Sequence, residues 1–135
     1  MAKLFLDTNV LLLALRKDPD ASNLVLRRAE GETKIVSMNV LKEVYRVLSK
    51  IGYSNQGIQD ALEFVRDNCV ITPPVSARAA NIYDIRDRND VLILAGALRE
   101  KCDFLVTEDF KLRQDAEKYL KTLSVKKALG LLKQK

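Results

Sequence analysis

Short apolar segments alternate with amphipathic stretches of helical spacing along the whole chain, and this alternation constrains the fold more than any other feature. Apolar, β-branched runs are typical of buried strands, whereas apolar positions three and four residues apart are typical of helices. Strands that alternate with helices imply right-handed crossovers and a mostly parallel sheet. We therefore predict a three-layer α/β sandwich. The predicted strands are residues 4–7, 33–37, 69–72, 103–107 and 123–125.

The helices predicted between these strands leave no room for a second domain. The chain has 135 residues, enough for one hydrophobic core, so we predict a single domain over residues 1–135. Asp18 followed by Pro19 marks one helix start, while Gly31 and Gly52 mark two helix ends. The predicted helices are residues 10–17, 19–30, 40–51, 54–65, 75–83, 91–98, 112–120 and 128–132.

Polar residues follow the first strand at once. Asp7, Thr8 and Asn9 bring a carboxylate, a hydroxyl and an amide to the point where that strand ends. In an open α/β sheet, ligands bind outside the carboxyl ends of the strands, so Asp7 is placed to meet a substrate or a cation. The alternative is that Thr8 or Asn9 caps the next helix and Asp7 only complements the helix dipole. On this segment alone the two interpretations are equally supported.

Three further acids are expected at the same edge of the sheet. Asp109 follows the strand of residues 103–107, and Asp90 precedes a helix that is apolar all round. Glu43 borders the buried stripe of its helix in an early turn, where an unpaired acid is unusual. Simpler alternatives exist for two of them, because Asp90 alone could cap its helix and Asp109 alone could be a turn residue.

A cluster of these acids needs a counter-cation, because like charges about 4 Å apart repel by roughly 1–4 kcal/mol per pair. The sequence contains no histidine, which removes the usual zinc site and the Ser-His-Asp triad. Cys69 and Cys102 lie far apart and are expected to be reduced core residues. Oxygen ligands alone favour Mg²⁺ or Mn²⁺. Such ions suit a phosphodiester displacement, so the pattern predicts nuclease chemistry.

The chain is basic, with a formal net charge of +5 and a pI near 9.3. A basic surface favours a polyanionic partner, although charge alone does not select nucleic acid. No apolar run is long enough to span a bilayer, and the N-terminal apolar stretch lacks a small-residue cleavage site. We therefore expect a soluble cytoplasmic protein.

Four segments together resemble the PIN domain and, more narrowly, the VapC-type toxin ribonucleases. They are residues 5–11 (FLDTNVL), the helix bearing Glu43, residues 90–97 (DVLILAGA) and residues 103–110 (DFLVTEDF), and they span nearly the whole chain in the order of the family. The resemblance implies a small Mg²⁺- or Mn²⁺-dependent endoribonuclease, often dimeric and in many cases inhibited by a cognate antitoxin.

Carried over to this chain, the resemblance implies an acidic quartet of Asp7, Glu43, Asp90 and Asp109. We expect Asp7 and Asp90 to bind the principal metal, with the other two acids completing the site directly or through water. The fourth position has competitors in Glu108 and Asp103. The Thr-x-Asp spacing favours Asp109, and Asp103 should lie at the opposite end of its strand.

Polar and basic residues around the quartet are expected to assist it. Thr107 and Asn9 match supporting positions, and Thr8 is expected to contribute its backbone or a supporting contact. Basic residues in the flanking segments could hold the RNA backbone, although each alone is more typical of a solvated surface charge. They are Arg16, Lys17, Arg86, Arg88, Lys111 and Arg113.

Other functions stay open at this stage. One is a catalytically silent PIN module that binds RNA or protein, and another is a housekeeping RNA-processing nuclease. A haloacid-dehalogenase-like phosphatase would need a second aspartate where this chain has Asn9, and a receiver domain would need paired acids there. The apolar helices at residues 40–51 and 58–65 are first of all core. They could also serve a homodimer or hold an antitoxin segment.

Overall fold

The central sheet is parallel throughout in the computed structural model, which describes residues 2–76, 78 and 82–133. Its strand order is β3-β2-β1-β4-β5, so β1 lies at the centre. The predicted α/β sandwich around a parallel sheet is therefore confirmed. The strands are β1 (Ala2–Leu6), β2 (Glu32–Ser37), β3 (Val70–Thr72), β4 (Phe104–Val106) and β5 (Thr122–Leu123).

Seven helices in the described part of the chain pack around this sheet. The fifth contacts β1, β2 and β4, whereas the second packs on the first and on the last. None of the described helices is long and apolar enough to cross a membrane. The helices are α1 (Thr8–Leu15), α2 (Pro19–Leu26), α3 (Met38–Lys50), α4 (Asn55–Asn68), α5 (Arg88–Arg99), α6 (Phe110–Ala116) and α7 (Val125–Lys133).

Side-chain caps explain where several helices begin. Asp18 accepts the Ala21 N–H at 3.0 Å, with Pro19 at the first helical position as predicted. Ser37 and Ser54 cap α3 and α4 in the same way. Each cap satisfies a backbone N–H that has no partner within the helix.

Some predicted boundaries were wrong. α2 ends at Leu26 instead of continuing to about residue 30, because the Lys34 ammonium donates to the Val25 and Arg27 carbonyls, which would otherwise be left without partners at that end. Val125 is the first residue of α7 rather than the last residue of a strand. Residues 77 and 79–81, which are four of the nine residues of the helix predicted at residues 75–83, lie outside the described residues.

The close contact between α5 and β1 organises the core. Phe5 is fully buried, and a Cβ atom at Gly96 would lie only 3.1 Å from its Cζ atom. The helix predicted to be apolar all round is accordingly buried along most of its length. Both cysteines are free thiols: Cys102 is buried in the core, and Cys69 is half-buried and packs against the core.

Candidate active site

The strand order places the ends of β1 and β4 side by side. Leu6 pairs with Val106, and the N–H of Asp7 donates to the Val106 carbonyl at 3.0 Å. The connection that follows β1 leads to β2 on one side of it, whereas β4 lies on its other side. The strand order therefore reverses between β1 and β4, and this gap is the switch point of the sheet. Ligands of open α/β sheets bind in the crevice at such a point. Asp7 and Thr107, the first residues beyond the two strands, lie there.

Three hydrogen bonds hold the Asp7 carboxylate, which is only 6% exposed. The Thr8 N–H donates to Oδ1 at 2.7 Å. The Thr107 hydroxyl donates to Oδ2 at 2.7 Å, and the Asn9 side-chain amide donates to the same oxygen at 3.2 Å. Asp7 is thus itself the N-cap of α1, and the alternative in which Thr8 or Asn9 caps that helix is wrong.

The electrostatic environment of Asp7 opposes its negative charge. Burial raises the pKa of Asp7 to about 6, although the hydrogen bonds from Thr107 and Thr8 lower it. The carboxylates of Glu43 and Asp109 also raise the pKa of Asp7. Two acids that are far away in sequence therefore lie within electrostatic reach of this buried carboxylate.

Asp90 lies in the first turn of α5 and does not cap it. The cap is Asp87, whose Oδ1 accepts the N–H groups of Asn89 and Asp90 at 2.8 and 3.4 Å. The simpler interpretation of Asp90 as a helix cap is therefore wrong. Burial raises the pKa of Asp90 to about 7, and the carboxylates of Asp87, Asp7 and Asp109 raise it too.

Glu43 reaches the cluster from the second turn of α3. Its side chain is 33% exposed, and its Oε2 lies 3.4 Å from Nη2 of Arg46 on the next turn. The pair is too long and too exposed to neutralise the carboxylate fully. Glu43 thus still acts on Asp7, whose pKa it raises.

The three candidates for the fourth acid differ in where they lie. Asp109 caps α6, and its Oδ1 accepts the N–H groups of Lys111 and Leu112 at 2.9 and 3.3 Å. Glu108 points towards α7, where its Oε1 accepts the N–H of Val125 at 3.4 Å. Asp103 lies at the opposite edge of the sheet. Of the three, only Asp109 raises the pKa values of both Asp7 and Asp90.

A sequence profile described as the PIN domain matches residues 3–111, the segment that contains all four acids. This chain belongs to the PIN-domain family. No curated protein sequence gives a significant match to this PIN domain.

Solved structures of low sequence identity share the fold. VapBC2 from Rickettsia felis, bound to a DNA fragment from its promoter, is 23% identical, with a TM-score of 0.73 over 90% of this chain and 98% of that one. A toxin-antitoxin complex from Klebsiella pneumoniae is 16% identical, with a TM-score of 0.66 over 90% of this chain and 97% of that one. VapC20 from Mycobacterium tuberculosis, described as a sarcin-ricin loop cleaving toxin, is 14% identical, with a TM-score of 0.60 over 82% of this chain and 93% of that one.

The acids of this PIN domain suit a hard divalent cation, although they form no closed cage. No group of three or more acidic or cysteine side chains in residues 2–76, 78 and 82–133 is arranged to hold an ion. The donors are all carboxylate oxygens, and burial raises the pKa values of Asp7 and Asp90, with a further rise from neighbouring carboxylates. Mg²⁺ is usually bound by one or two carboxylates, with water and substrate phosphates in the remaining positions. The residues present therefore fit such an ion in an open site.

The basic residues expected to contact substrate have different surroundings. The Arg86 guanidinium forms a forked pair with Asp115 on α6, with nitrogen–oxygen distances of 2.8 to 3.0 Å, and it lowers the pKa of Asp115. Arg113 lies over the Phe110 ring, 5.9 Å from its centroid. Arg88 and Lys111 are exposed at the first turns of α5 and α6. Arg86 thus links the segment before Asp90 to the helix after Asp109.

A cleft beside the acids contains residues that the sequence analysis missed. Lys42 and Arg46 lie on α3 on either side of Glu43, and all three line this cleft together with Thr8. Their spacing was a usable signal, because residues 42 and 46 share one face of a helix that starts at the acidic edge. The other wall of the cleft is formed by α5, which begins more than forty positions after Lys42 and Arg46 in the chain.

Proposed function

We propose that this PIN domain is a metal-dependent endoribonuclease that hydrolyses RNA phosphodiesters. One observation carries the proposal: at the switch point the carboxylate of Asp109 raises the pKa values of both Asp7 and Asp90. Asp7 also raises the pKa of Asp90, and Glu43 on α3 raises that of Asp7. PIN domains are generally nucleases. The absence of histidine leaves carboxylates as the ligands for a hard cation such as Mg²⁺ or Mn²⁺.

The side chains of this chain have separate tasks in the proposed reaction. Asp7 and Asp90 would hold the principal cation, with Glu43 and Asp109 completing its surroundings. Thr107 and Asn9 fix the orientation of the Asp7 carboxylate through the hydrogen bonds to Oδ2. A divalent ion bound there supplies positive charge to the phosphate oxygens and lowers the pKa of water.

RNA as the substrate is supported by charge and by one structural relative. The net charge of +5 favours a polyanion, and the relative from Mycobacterium tuberculosis is described as cleaving the sarcin-ricin loop. RNA hydrolysis explains why an acidic site is set in a basic protein, since surrounding cations must offset its repulsion of phosphate.

The cleavage assay uses purified protein and a panel of structured RNAs, with Mg²⁺, Mn²⁺ or EDTA. Wild type should cut only with metal, and Asp7→Asn should bind Mn²⁺ more weakly in calorimetry and should not cut. Asp103→Asn is the matched control, because it makes the same change at the opposite edge of the sheet, where the Asp103 carboxylate accepts the Lys3 N–H. Neither metal-dependent cleavage nor Mn²⁺ binding by wild type would favour the silent binding module instead.

We further propose that the protein is the toxin of a toxin-antitoxin pair. The relatives from Rickettsia felis and Klebsiella pneumoniae are toxin-antitoxin assemblies, which supports a small antitoxin protein as partner. An apolar groove of about 580 Å³ between α1, α2 and α4 offers a contact surface for it. Leu26 and Tyr53 in this groove are 51% and 41% exposed, which is typical of a surface that a partner covers.

Co-expression with the protein encoded by the neighbouring gene tests this role. A stable complex that inhibits cleavage, and that Leu26→Asp weakens without reducing cleavage by the free chain, would support the toxin assignment. Cleavage that no neighbouring gene product inhibits would favour the housekeeping nuclease. Homodimer formation and a cytoplasmic location stay predictions, and light scattering of the purified chain tests the first.

A further inference from the structure

A cleft of about 380 Å³ opens beside the acidic cluster, between the first turn of α1, one face of α3 and the start of α5. Its apolar wall is formed by Leu92 and Ile93, and Asn89 lies at its rim. The volume is within the range of pockets that hold small ligands.

The Thr8 hydroxyl in this cleft lacks a partner. Thr8 is 3% exposed, and its Oγ1 makes no hydrogen bond to any residue in the described part of the chain. Its backbone N–H is already used by Asp7. Buried hydroxyls nearly always have a hydrogen-bond partner, so this oxygen indicates that a group from outside the chain is accommodated at this place.

The charges of the cleft favour a phosphate as that group. Lys42 is exposed and makes no ion pair with any described residue, and Arg46 has only the long contact of 3.4 Å to Glu43. The two cations lie four residues apart on α3, so they share one face of the helix. A guanidinium and an ammonium next to a hydroxyl donor form a suitable set for a phosphodiester.

We propose that this cleft binds one phosphodiester of the RNA, next to the bond that is cut. Lys42 and Arg46 neutralise that phosphate, and Thr8 Oγ1 donates a hydrogen bond to it. The proposal rests on the proposed nuclease function for its substrate. It adds a subsite on α3 and assigns the entry of the RNA to the α3 side of the acidic cluster. A phosphate bound here also offsets the repulsion between the RNA backbone and Glu43.

Binding of a short fluorescein-labelled single-stranded RNA, followed by fluorescence anisotropy, tests the subsite. Titrations are run with otherwise wild-type protein in EDTA and again in the Asp90→Asn background with Mg²⁺, so that the RNA stays intact. Lys42→Gln and Arg46→Gln should each weaken binding about tenfold. Each should also reduce the slope of log affinity against log salt by about 0.7. Lys50→Gln, on the same helix but outside the cleft, is the matched control and should change neither quantity.

Thr8→Val tests the hydroxyl separately. Because Thr8 Oγ1 bonds to no described residue, the variant should melt at or above the wild-type temperature. It should nevertheless bind the RNA about fivefold more weakly with an unchanged salt slope, and Thr8→Ser should recover the affinity. If Thr8→Val is unfolded, the surface variants Lys42→Gln and Arg46→Gln still decide the proposal.

The outcomes separate this proposal from the nuclease assignment. If wild type cuts RNA and the three cleft variants bind like Lys50→Gln, the nuclease stands and the subsite is overturned. If wild type does not cut but these variants lose affinity as stated, the subsite stands and the nuclease fails. If the RNA binds neither in EDTA nor to the Asp90→Asn protein with Mg²⁺, the subsite is overturned. The subsite is also overturned if Lys42→Gln and Arg46→Gln lose binding only to an acidic antitoxin and not to RNA. The two cations would then serve a protein partner.

Discussion

The Thr107 hydroxyl donates a 2.7 Å hydrogen bond to the Asp7 carboxylate, although the two residues are one hundred positions apart in the sequence. The same hydroxyl oxygen accepts the N–H of Asp109 at 3.1 Å and the Asn9 amide at 3.3 Å. One fully buried threonine therefore connects two of the four acids. This contact makes the relative position of Asp7 and Asp109 a property of the strand pairing between β1 and β4.

Replacement of Thr107 by valine should affect both stability and metal binding. Thr107→Val leaves buried polar groups without a partner, so the free energy of unfolding should fall by about 1–3 kcal/mol in denaturant titrations. Affinity for Mn²⁺ in calorimetry should fall about tenfold or more, because the Asp7 carboxylate loses the group that orients it. Thr107→Ser keeps the hydroxyl and should stay close to wild type in affinity. Equal Mn²⁺ affinities for all three proteins would contradict the positioning role.

Stabilisation by Mg²⁺ should increase with pH. The folded-state pKa values of Asp7 and Asp90 are raised to about 6 and about 7. In EDTA these groups therefore contribute their full stability only at a pH below their unfolded-state pKa of about 4. That stability is lost as the pH rises through about 6 to 7. A cation binds the deprotonated carboxylates and offsets this loss. The difference in melting temperature between Mg²⁺ and EDTA should therefore be small near about pH 5 and larger near about pH 8.

Asp90→Asn is the informative variant for this pH dependence, because it removes the group with the higher pKa. Its difference in melting temperature between Mg²⁺ and EDTA should be smaller than that of wild type at the higher pH. A pH-independent difference in the wild-type protein would show that protons and the cation do not compete for these acids.

The pair between Arg86 and Asp115 should act on activity by positioning rather than by substrate contact. Arg86→Asp and Asp115→Arg should each lower the rate of RNA cleavage, since each releases the segment before Asp90 from the helix after Asp109. The double variant Arg86→Asp/Asp115→Arg should recover most of the rate. If Arg86 instead held the RNA backbone, the double variant would stay impaired and Arg86→Gln would reduce the salt slope of RNA binding by about 0.7.

Gly96→Ala should destabilise the protein although alanine is the better helix former. Alanine gains about 1 kcal/mol in helix propensity, but its Cβ would lie 3.1 and 3.2 Å from two atoms of the fully buried Phe5 ring. Overpacking of a tight core costs about 1–3 kcal/mol, so the net loss should be about 1 kcal/mol in denaturant titrations. Phe5→Leu in the Gly96→Ala background should reduce the loss that the alanine adds. An increase in stability from Gly96→Ala alone would contradict the packing argument.

The sequence by itself determined the fold class and the strand ends. Periodicity predicted the strands to within a few residues, because buried parallel strands are short apolar runs and helices repeat every three to four residues. It also placed Asp7 at the end of the first strand, Asp109 two residues after the fourth, and Asp103 at the opposite end of β4, where the structure has it bound to Lys3. Side-chain alternation and strand direction are local properties, so these expectations needed no knowledge of packing.

The tertiary structure alone decided which groups meet. The pair between Arg86 and Asp115, twenty-nine positions apart, follows from the packing of separate segments. The same holds for the unpartnered Thr8 hydroxyl, because a lone hydroxyl in a sequence can bond to almost any neighbour. Strand order brings residues from both ends of the chain to one crevice, and the resulting burial and charge, rather than the residue types, make that crevice a candidate active site.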